Sequence, residues 1–145
     1  RYYDGGGPTA LWAVRSRGID PATGQEIFVK KDGTLTYTFD YKDEVEVGDS
    51  RPTLEGVWGN TFYYKGWSAS LQLRYSFGAD VFNSTLFNKV ENISSRSITT
   101  NQDRRALYNR WKKPGDKAKF KSISLTESTP MSSRFVMKEN YLSIR

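Results

Sequence analysis

Cysteine and histidine are both absent from the 145 residues of this chain. Without cysteine there is no disulfide framework and no thiolate metal site. Without histidine the chain lacks the commonest imidazole ligand and the usual general base. No pair of carboxylates occupies adjacent positions of a predicted strand either. We therefore expect neither an enzyme nor a bound metal or cofactor.

Long apolar runs are missing as well, since none approaches the roughly 18 residues of a transmembrane helix. Concentrated charge is scarce, because the net charge is +6 and the basic residues are scattered, apart from adjacent pairs such as Arg104-Arg105 and Lys112-Lys113. No basic stripe alternates with stacking aromatics, so nucleic acid is not an expected partner. The acidic run 43–46 with Asp49 lacks the spacing of a calcium loop and is interpreted as a solvated face.

Aromatic residues, by contrast, are abundant, at 14% of the chain with nine Tyr and four Trp. The chain is organised around residues 67–77, where every odd position is apolar or aromatic and every even position is polar. Successive side chains of a β-strand point to opposite faces, so this pattern predicts one apolar and one polar face. Eleven residues tilted by about 45° rise roughly 26 Å, close to the apolar band of an outer-membrane barrel.

The preceding strand is predicted to pair with this one through a two-residue turn at Lys65-Gly66. Tyr64 then lies opposite Trp67, and aromatic side chains gather at the ends of the apolar face, as expected at lipid headgroups. The predicted lipid-facing residues are Leu54, Trp58, Phe62, Tyr64, Trp67, Ala69, Leu71, Leu73, Tyr75 and Phe77. The predicted lumen-facing residues are Ser68, Ser70, Gln72, Arg74 and Ser76. Alternation alone is equally typical of a soluble antiparallel sandwich.

The flanking segments contain further local signals. We predict a strand over 10–16, a hairpin with arms 27–31 and 34–41 around Asp32-Gly33, and an acidic connection over 42–53. Residues 84–133 have little strand character, apart from a predicted helix over 101–112 that begins at Asn101 or Asp103 and carries Ala106, Leu107 and Trp111 on one side. A new strand is predicted to begin at Arg134.

Fifty residues between strands are too many for a compact sheet domain, whereas outer-membrane barrels combine short turns on one rim with long loops on the other. The fold class predicted is therefore all-β, with antiparallel strands of a transmembrane β-barrel and long extracellular loops that contain a short helix. Four or five strands are fewer than the eight or so that close such a barrel. We therefore expect residues 1–145 to be a fragment of one barrel domain.

An ordered set of motifs resembles the late barrel of SusC/RagA-type TonB-dependent outer-membrane receptors. Each motif is weak alone, but together they cover nearly the whole chain in the family's order. They are Gly18-Ile19-Asp20-Pro21-Ala22-Thr23-Gly24, Asp32-Gly33, Gly48-Asp49-Ser50-Arg51-Pro52, Tyr63-Tyr64-Lys65-Gly66-Trp67, Tyr75-Ser76-Phe77-Gly78, Phe82-Asn83, Asn101-Gln102-Asp103-Arg104-Arg105, Arg110-Trp111-Lys112-Lys113-Pro114-Gly115-Asp116 and Ser132-Ser133-Arg134-Phe135-Val136.

The resemblance implies part of a 22-stranded barrel in the Gram-negative outer membrane, with the plug domain, the TonB-binding segment and the closing strands outside this sequence. It implies a transmembrane hairpin over 54–83 with a periplasmic turn at 65–66, extracellular loops over 18–53 and 84–133, and the start of the next strand over 134–145. The implied activity is import of oligosaccharides or peptides, with a SusD-like surface lipoprotein and a TonB complex as partners.

Three residues are weak candidates for substrate contact. Arg74 is the charged member of the polar face, and Arg110 with Trp111 could hydrogen-bond and stack a sugar. The competing interpretations are ordinary packing against a plug for Arg74 and anchoring of a loop for Trp111. The alternative function is a soluble, surface-located glycan-binding β-domain, in which Trp58, Phe62, Leu71 and Leu73 would face a protein core.

Overall fold

A computed structural model describes residues 4–97, 99–100, 102–124 and 126–144. These residues are mostly β, arranged in antiparallel sheets with few helical turns. The strands are β1 (Ala10–Ile19), β2 (Glu26–Val29), β3 (Leu35–Thr36), β4 (Glu44–Asp49), β5 (Leu54–Tyr64), β6 (Trp67–Phe82) and β7 (Val136–Ile144), and the α-helix is α1 (Arg105–Tyr108).

The chain divides into two compact units. The first, called here the hairpin unit, comprises the residues up to Leu11, Gly48–Val81 and the residues from Met137 onward. The second, the loop unit, comprises Trp12–Val47 and Phe82–Val136. Within the described residues, no helix is both long enough and apolar enough to cross a membrane.

The hairpin unit contains a three-stranded sheet in the order β5-β6-β7. The predicted register of its first two strands is confirmed, because Tyr64 lies opposite Trp67 and Leu54 lies opposite Phe77, with unbroken pairing between them. Lys65 and Gly66 both have positive φ, at 43° and 85°. Two positive φ values in a two-residue loop match the twist of the flanking strands, which is why this short turn sets the register.

Strand β6 continues for 16 residues, past Phe77 to Phe82. Gly78 interrupts its regular geometry with a φ of 88°, and a Cβ at this position would lie 2.6 Å from Thr53 Oγ1. Only glycine combines that backbone conformation with that close approach. The Gly78 amide donates to Asn140 Oδ1 at 2.8 Å, so β7 meets β6 at this irregularity.

The loop unit contains most of a four-stranded sheet in the order β3-β2-β1-β4. The hairpin around Asp32-Gly33 is present, with Phe28 opposite Thr36, but its second arm is two residues long rather than the predicted 34–41. Tyr37 leaves the sheet because its hydroxyl donates to Asp20 Oδ2 at 2.8 Å. The turn also differs from type I′, since Lys30 bonds Thr34 across three loop residues, of which only Gly33 has positive φ.

Strand β4 corrects the prediction of an acidic connection over 42–53. Its sequence, EVEVGD, alternates acidic residues with Val45 and Val47. That alternation is a strand pattern, and the charges obscured it because acidic residues are depleted in strands. Gly48 has a structural role in this strand, because a Cβ there would lie 2.7 Å from the Asp80 carboxylate.

Residues 84–133 contain no named strand among those described, as predicted. A π-helical turn over Leu86–Glu91 and helix α1 enclose a small core of Val90, Ile93, Ala106 and Phe120. The helix prediction over 101–112 was too long, and Asn101 lies outside the described residues. At the first residue of α1, the Arg105 amide donates a hydrogen bond of 2.9 Å to the Asp103 carboxylate.

The helix ends early because of Arg110. A continuing helix would pair the Ala106 carbonyl with the Arg110 amide. Instead that carbonyl accepts the Arg110 side-chain Nε at 2.7 Å, and the Arg110 backbone bridges to Phe120.

Candidate functional site

The first candidate site is the apolar face of the β5–β6 hairpin. Its large side chains are exposed rather than packed beneath other described parts of the chain: Leu54 56%, Trp58 48%, Phe62 58%, Tyr64 69%, Trp67 81% and Phe77 42%. Ala69 is exposed, and Leu71, Leu73 and Tyr75 are half-buried. An apolar patch of this extent is unusual on a soluble monomer and marks a surface that meets something else.

Cross-strand packing explains why Gly56 occurs on this face. Gly56 lies opposite Tyr75, and a Cβ at Gly56 would lie 2.5 Å from the Tyr75 hydroxyl oxygen. The Tyr75 ring therefore covers the glycine, and it stacks on Phe77 with ring centroids 6.2 Å apart. The remaining irregularity is Asn60, an exposed amide opposite Leu71.

The polar face of β6 carries hydroxyls, an amide and one charge. Ser68, Ser70, Gln72 and Arg74 are exposed, whereas Ser76 is 4% exposed. Ser70 lies opposite Thr61, with their hydroxyl oxygens 3.4 Å apart. This face can hydrogen-bond water or a polar ligand, and Arg74 is its one cation.

The second candidate region is a buried ionic cluster in the loop unit, called here the Arg134 clamp and made of Glu26, Glu91, Ser132 and Arg134. The Arg134 guanidinium lies 3.0 Å from a Glu26 oxygen and 2.9 Å from a Glu91 oxygen. The two carboxylates are essentially inaccessible, at 1% and 0% exposed. Ser132 donates to Glu26 at 2.6 Å, and Arg134 also donates to the Lys119 carbonyl at 2.6 Å.

The clamp joins segments that are distant in sequence, namely β2, the π-helical turn and the residues before β7. Burial alone would lower the pKa of Arg134, but the hydrogen bonds that its guanidinium donates to Glu91 and Glu26 outweigh it and raise that pKa. The guanidinium also stacks on Phe135, 4.6 Å from its ring centroid. A planar donor with five N–H groups suits this role, because it satisfies two carboxylates and a carbonyl together.

The candidate Arg110 is likewise internal. Its guanidinium donates to the carbonyls of Ala106, Lys121, Val90 and Glu91, and the residue is 5% exposed. Burial lowers the pKa of Arg110, and the nearby charge of Glu91 opposes that shift. Its donors are therefore committed to holding three backbone segments together.

The candidate Trp111 is half-buried against the turn that precedes β2. Its Nε1 donates to the Pro21 carbonyl at 2.9 Å. Its ring lies so close to Gly24 that an added Cβ would be 2.5 Å away. These contacts join Trp111 to the turn at Pro21 and Gly24, about 90 positions earlier in the chain, rather than to its own loop.

Among the described residues, no group of three or more His, Cys, Asp or Glu side chains is placed to hold a metal ion. Within the acidic run, the Asp43 carboxylate accepts the Lys31 amide at 3.3 Å. The Asp49 carboxylate has a lowered pKa, mainly through a hydrogen bond from the Thr9 side chain and then one from the Arg51 amide. These carboxylates thus serve local backbone structure.

Sequence reasoning missed the Arg134 clamp. Glu26 and Glu91 belong to segments with no shared motif. Each also has a basic residue close by in sequence, Lys30 and Lys89, so neither glutamate signals a distant partner. The available signal was indirect: Glu26 directly precedes the predicted hairpin arm 27–31, and a charge that a strand buries needs a partner.

No protein-family model matches this sequence, and no curated protein matches it. The fold does have solved counterparts. A structure of the RagAB peptide importer in the 'closed-closed' state superposes with a TM-score of 0.73 at 19% identity over 97% of this chain. A structure of the RagAB peptide transporter gives a TM-score of 0.72 at 19% identity over 94% of this chain.

These similarities establish a shared fold over nearly the whole sequence. The chain spans about 16% of the length of each of those proteins. The similar structures are those of a peptide importer and a peptide transporter. The apolar face and the loop unit are therefore parts of a fold that occurs in a peptide transporter.

Proposed function

We propose that this chain forms part of the wall and two outer loops of a SusC/RagA-type TonB-dependent transporter in the Gram-negative outer membrane. The transporter imports peptides or oligosaccharides together with a SusD-like surface lipoprotein, and TonB acts through segments outside this sequence. The chain itself binds and conducts cargo, carries out no bond chemistry and needs no cofactor. Peptides are the favoured cargo because the similar structures are peptide importers.

One observation carries the proposal: the exposed apolar face of the β5–β6 hairpin. Six large side chains on that face are at least 42% exposed, and no described part of the chain covers them. Lipid tails are the solvent that makes such a face favourable, and the aromatic side chains at its two ends suit the headgroup region. In the alternative of a soluble glycan-binding domain, Trp58 and Phe62 would be core residues, but they are 48% and 58% exposed.

The polar face then lines the lumen. Ser68, Ser70, Gln72, Arg74 and Ser76 would contact the plug, water or cargo there. The Lys65-Gly66 turn would lie at the periplasmic rim, and residues 18–53 and 84–133 would form extracellular loops. The 16 residues of β6, tilted by about 45°, rise roughly 38 Å, enough to cross the apolar band and project beyond it.

A matched pair of substitutions tests this assignment. Leu71→Lys places a charge near the middle of the apolar face, and Gln72→Lys places the same charge one residue away on the polar face. In a bilayer the first costs about 2–4 kcal/mol of folding free energy, whereas a charge that faces the lumen is tolerated. In water the two would differ little, because Leu71 is only half-buried.

The measurement is denaturant unfolding of the native gene product in lipid vesicles, with heat-modifiable migration on a gel as the marker of a folded barrel. Equal effects of the two substitutions would contradict lipid contact. Recovery of the native gene product as a stable monomer in the aqueous phase would refute the proposed function as a whole.

A further inference from the structure

The net positive charge of the chain arises in one segment of the loop unit, although basic residues occur throughout the sequence. Residues 103–121 contain eight Lys and Arg against two Asp, so this segment alone has a net charge equal to the +6 of the whole chain. Two of the eight cations are internal or paired: Arg110 is buried on backbone carbonyls, and Arg105 bonds Asp103 at 2.6 Å. Of the other six cations, five are exposed and Lys121 is half-buried.

Two clefts adjoin in this segment and share Tyr108, Arg110 and Lys112. The larger, of about 560 Å³, is mainly apolar and is lined by Leu107, Trp111 and Ile123. Leu107 and Ile123 are 55% and 50% exposed, so their apolar surface is open to a ligand. Its volume lies in the range of small-ligand pockets.

The second cleft, of about 360 Å³, is polar and is lined by Lys112, Lys117 and Lys119. All three lysines are exposed, and none forms an ion pair within the described part of the chain. The one carboxylate there, Asp116, already accepts the backbone amides of Lys112 and Lys113. The cleft therefore presents unneutralised positive charge directly beside apolar surface.

Tyr108 separates the two clefts. It is 71% exposed, and the Arg104 guanidinium lies 5.7 Å from its ring centroid. An exposed tyrosine next to cations offers both a stacking surface and a hydroxyl, a combination enriched where proteins bind peptides and other proteins.

We propose that this groove, the Tyr108 groove, binds acidic peptides in which an apolar side chain stands next to Asp or Glu. The apolar side chain enters the cleft of Leu107 and Ile123, and the carboxylates face Lys112, Lys117 and Lys119. The occupant is free peptide cargo, so this inference rests on the proposed function and narrows its substrate class. Charge complementarity would also raise the rate of capture at low ionic strength.

The experiment measures peptide binding to the native gene product in detergent by calorimetry. The probes are a synthetic decapeptide with Leu flanked by Asp and Glu, its Asn/Gln counterpart, its Lys counterpart, and an acidic version with Ser in place of Leu. We expect the Leu-containing acidic peptide to bind most tightly. Its advantage over the neutral peptide should shrink between 50 mM and 500 mM salt, since exposed charges are screened.

The decisive variants reverse charge at matched sites. Lys117→Glu with Lys119→Glu should weaken binding of the acidic peptide by about tenfold. The control, Lys31→Glu with Lys42→Glu, changes the net charge equally at exposed positions away from the groove and should leave binding within about twofold. Leu107→Ser should weaken binding of the Leu-containing peptide while sparing the Ser-containing one.

Equal losses in the two charge-reversed variants, or no loss in the groove variant, would overturn the inference. Binding of vesicles that contain an anionic phospholipid, without binding of the acidic peptide, would assign the groove to lipid headgroups and also overturn it. Heat-modifiable migration is measured on every variant. A folded barrel with no preference for acidic peptides refutes the Tyr108 groove alone, whereas absence of barrel behaviour refutes the proposed function.

Discussion

Replacing Arg134 with methionine should open the loop unit locally. The substitution keeps the length and much of the volume of the side chain but removes the guanidinium, leaving the Glu26 and Glu91 carboxylates buried at 1% and 0% exposure. Breaking a buried ion pair from one side costs about 3–5 kcal/mol, because the remaining charge stays desolvated without a partner. Two carboxylates share this guanidinium, so the upper part of that range applies.

The assay is hydrogen–deuterium exchange of the native gene product, read at peptides that cover 26–29 and 86–93. At about 1.4 kcal/mol per factor of ten, a cost of about 4–5 kcal/mol should speed exchange there by roughly 700- to 4,000-fold. The matched control is Lys138→Met, which breaks the pair with Asp80 at 2.8 Å. The Lys138 side chain is 64% exposed, so this loss should stay below about 1 kcal/mol.

A combined variant separates charge from packing. Glu26→Leu and Glu91→Leu together with Arg134→Met remove all three charges and leave apolar side chains in their place. Buried ion clusters replaced in this way often keep or gain stability. We expect the combined variant to recover most of the protection that Arg134→Met loses. Unchanged exchange in the single variant, or no recovery in the combined one, would refute the clamp.

Two further outcomes follow from local geometry. Gly24→Ala should displace Trp111 and shift its fluorescence to the red, because the new Cβ would lie 2.5 Å from the indole. The control is Gly33→Ala, which is also at positive φ but has open space around the new Cβ. It isolates the backbone cost of about 1–2 kcal/mol and should leave the fluorescence unchanged. Arg105→Gln should raise the pKa of Asp103 from about 2 toward its ordinary 3.8, because the Arg105 side chain is the largest cause of the lowered value. A carboxyl NMR titration measures this change in the pKa of Asp103. Because that pKa is lowered in the folded chain, the Asp103 contribution to stability is present above about pH 3.8 and is lost as the pH falls through about 2. The variant should therefore lack this acid dependence of stability.

The hairpin was predictable because its information is local. Alternation from 67 to 77 fixes which side chains share a face, and a two-residue turn fixes which residues lie opposite one another. Once Tyr64 is set against Trp67, every pair down to Leu54 and Phe77 follows without further assumptions. A one-residue slip would have placed all five polar residues on the apolar face.

The loop unit was less predictable because its structure depends on distant partners. Helix α1 stops at Tyr108 since the Arg110 side chain takes the carbonyl that a longer helix would use. Tyr37 leaves its strand for Asp20, which precedes it by 17 positions. Secondary-structure propensity and periodicity do not reveal either effect, because each depends on a hydrogen bond between one side chain and one specific atom.

The two units satisfy their backbone hydrogen bonds in different ways, and this difference explains why the loop unit buries charged side chains. In the hairpin unit, backbone groups are satisfied by strand pairing, so its side chains are free to carry apolar surface outward. The loop unit has long irregular segments, whose carbonyls need donors that no ladder supplies. Arg110 and Arg134 provide these donors: the Arg110 guanidinium donates to four backbone carbonyls and the Arg134 guanidinium donates to one. The core of that segment is small, so buried arginines, rather than a larger hydrophobic cluster, hold it in a single arrangement.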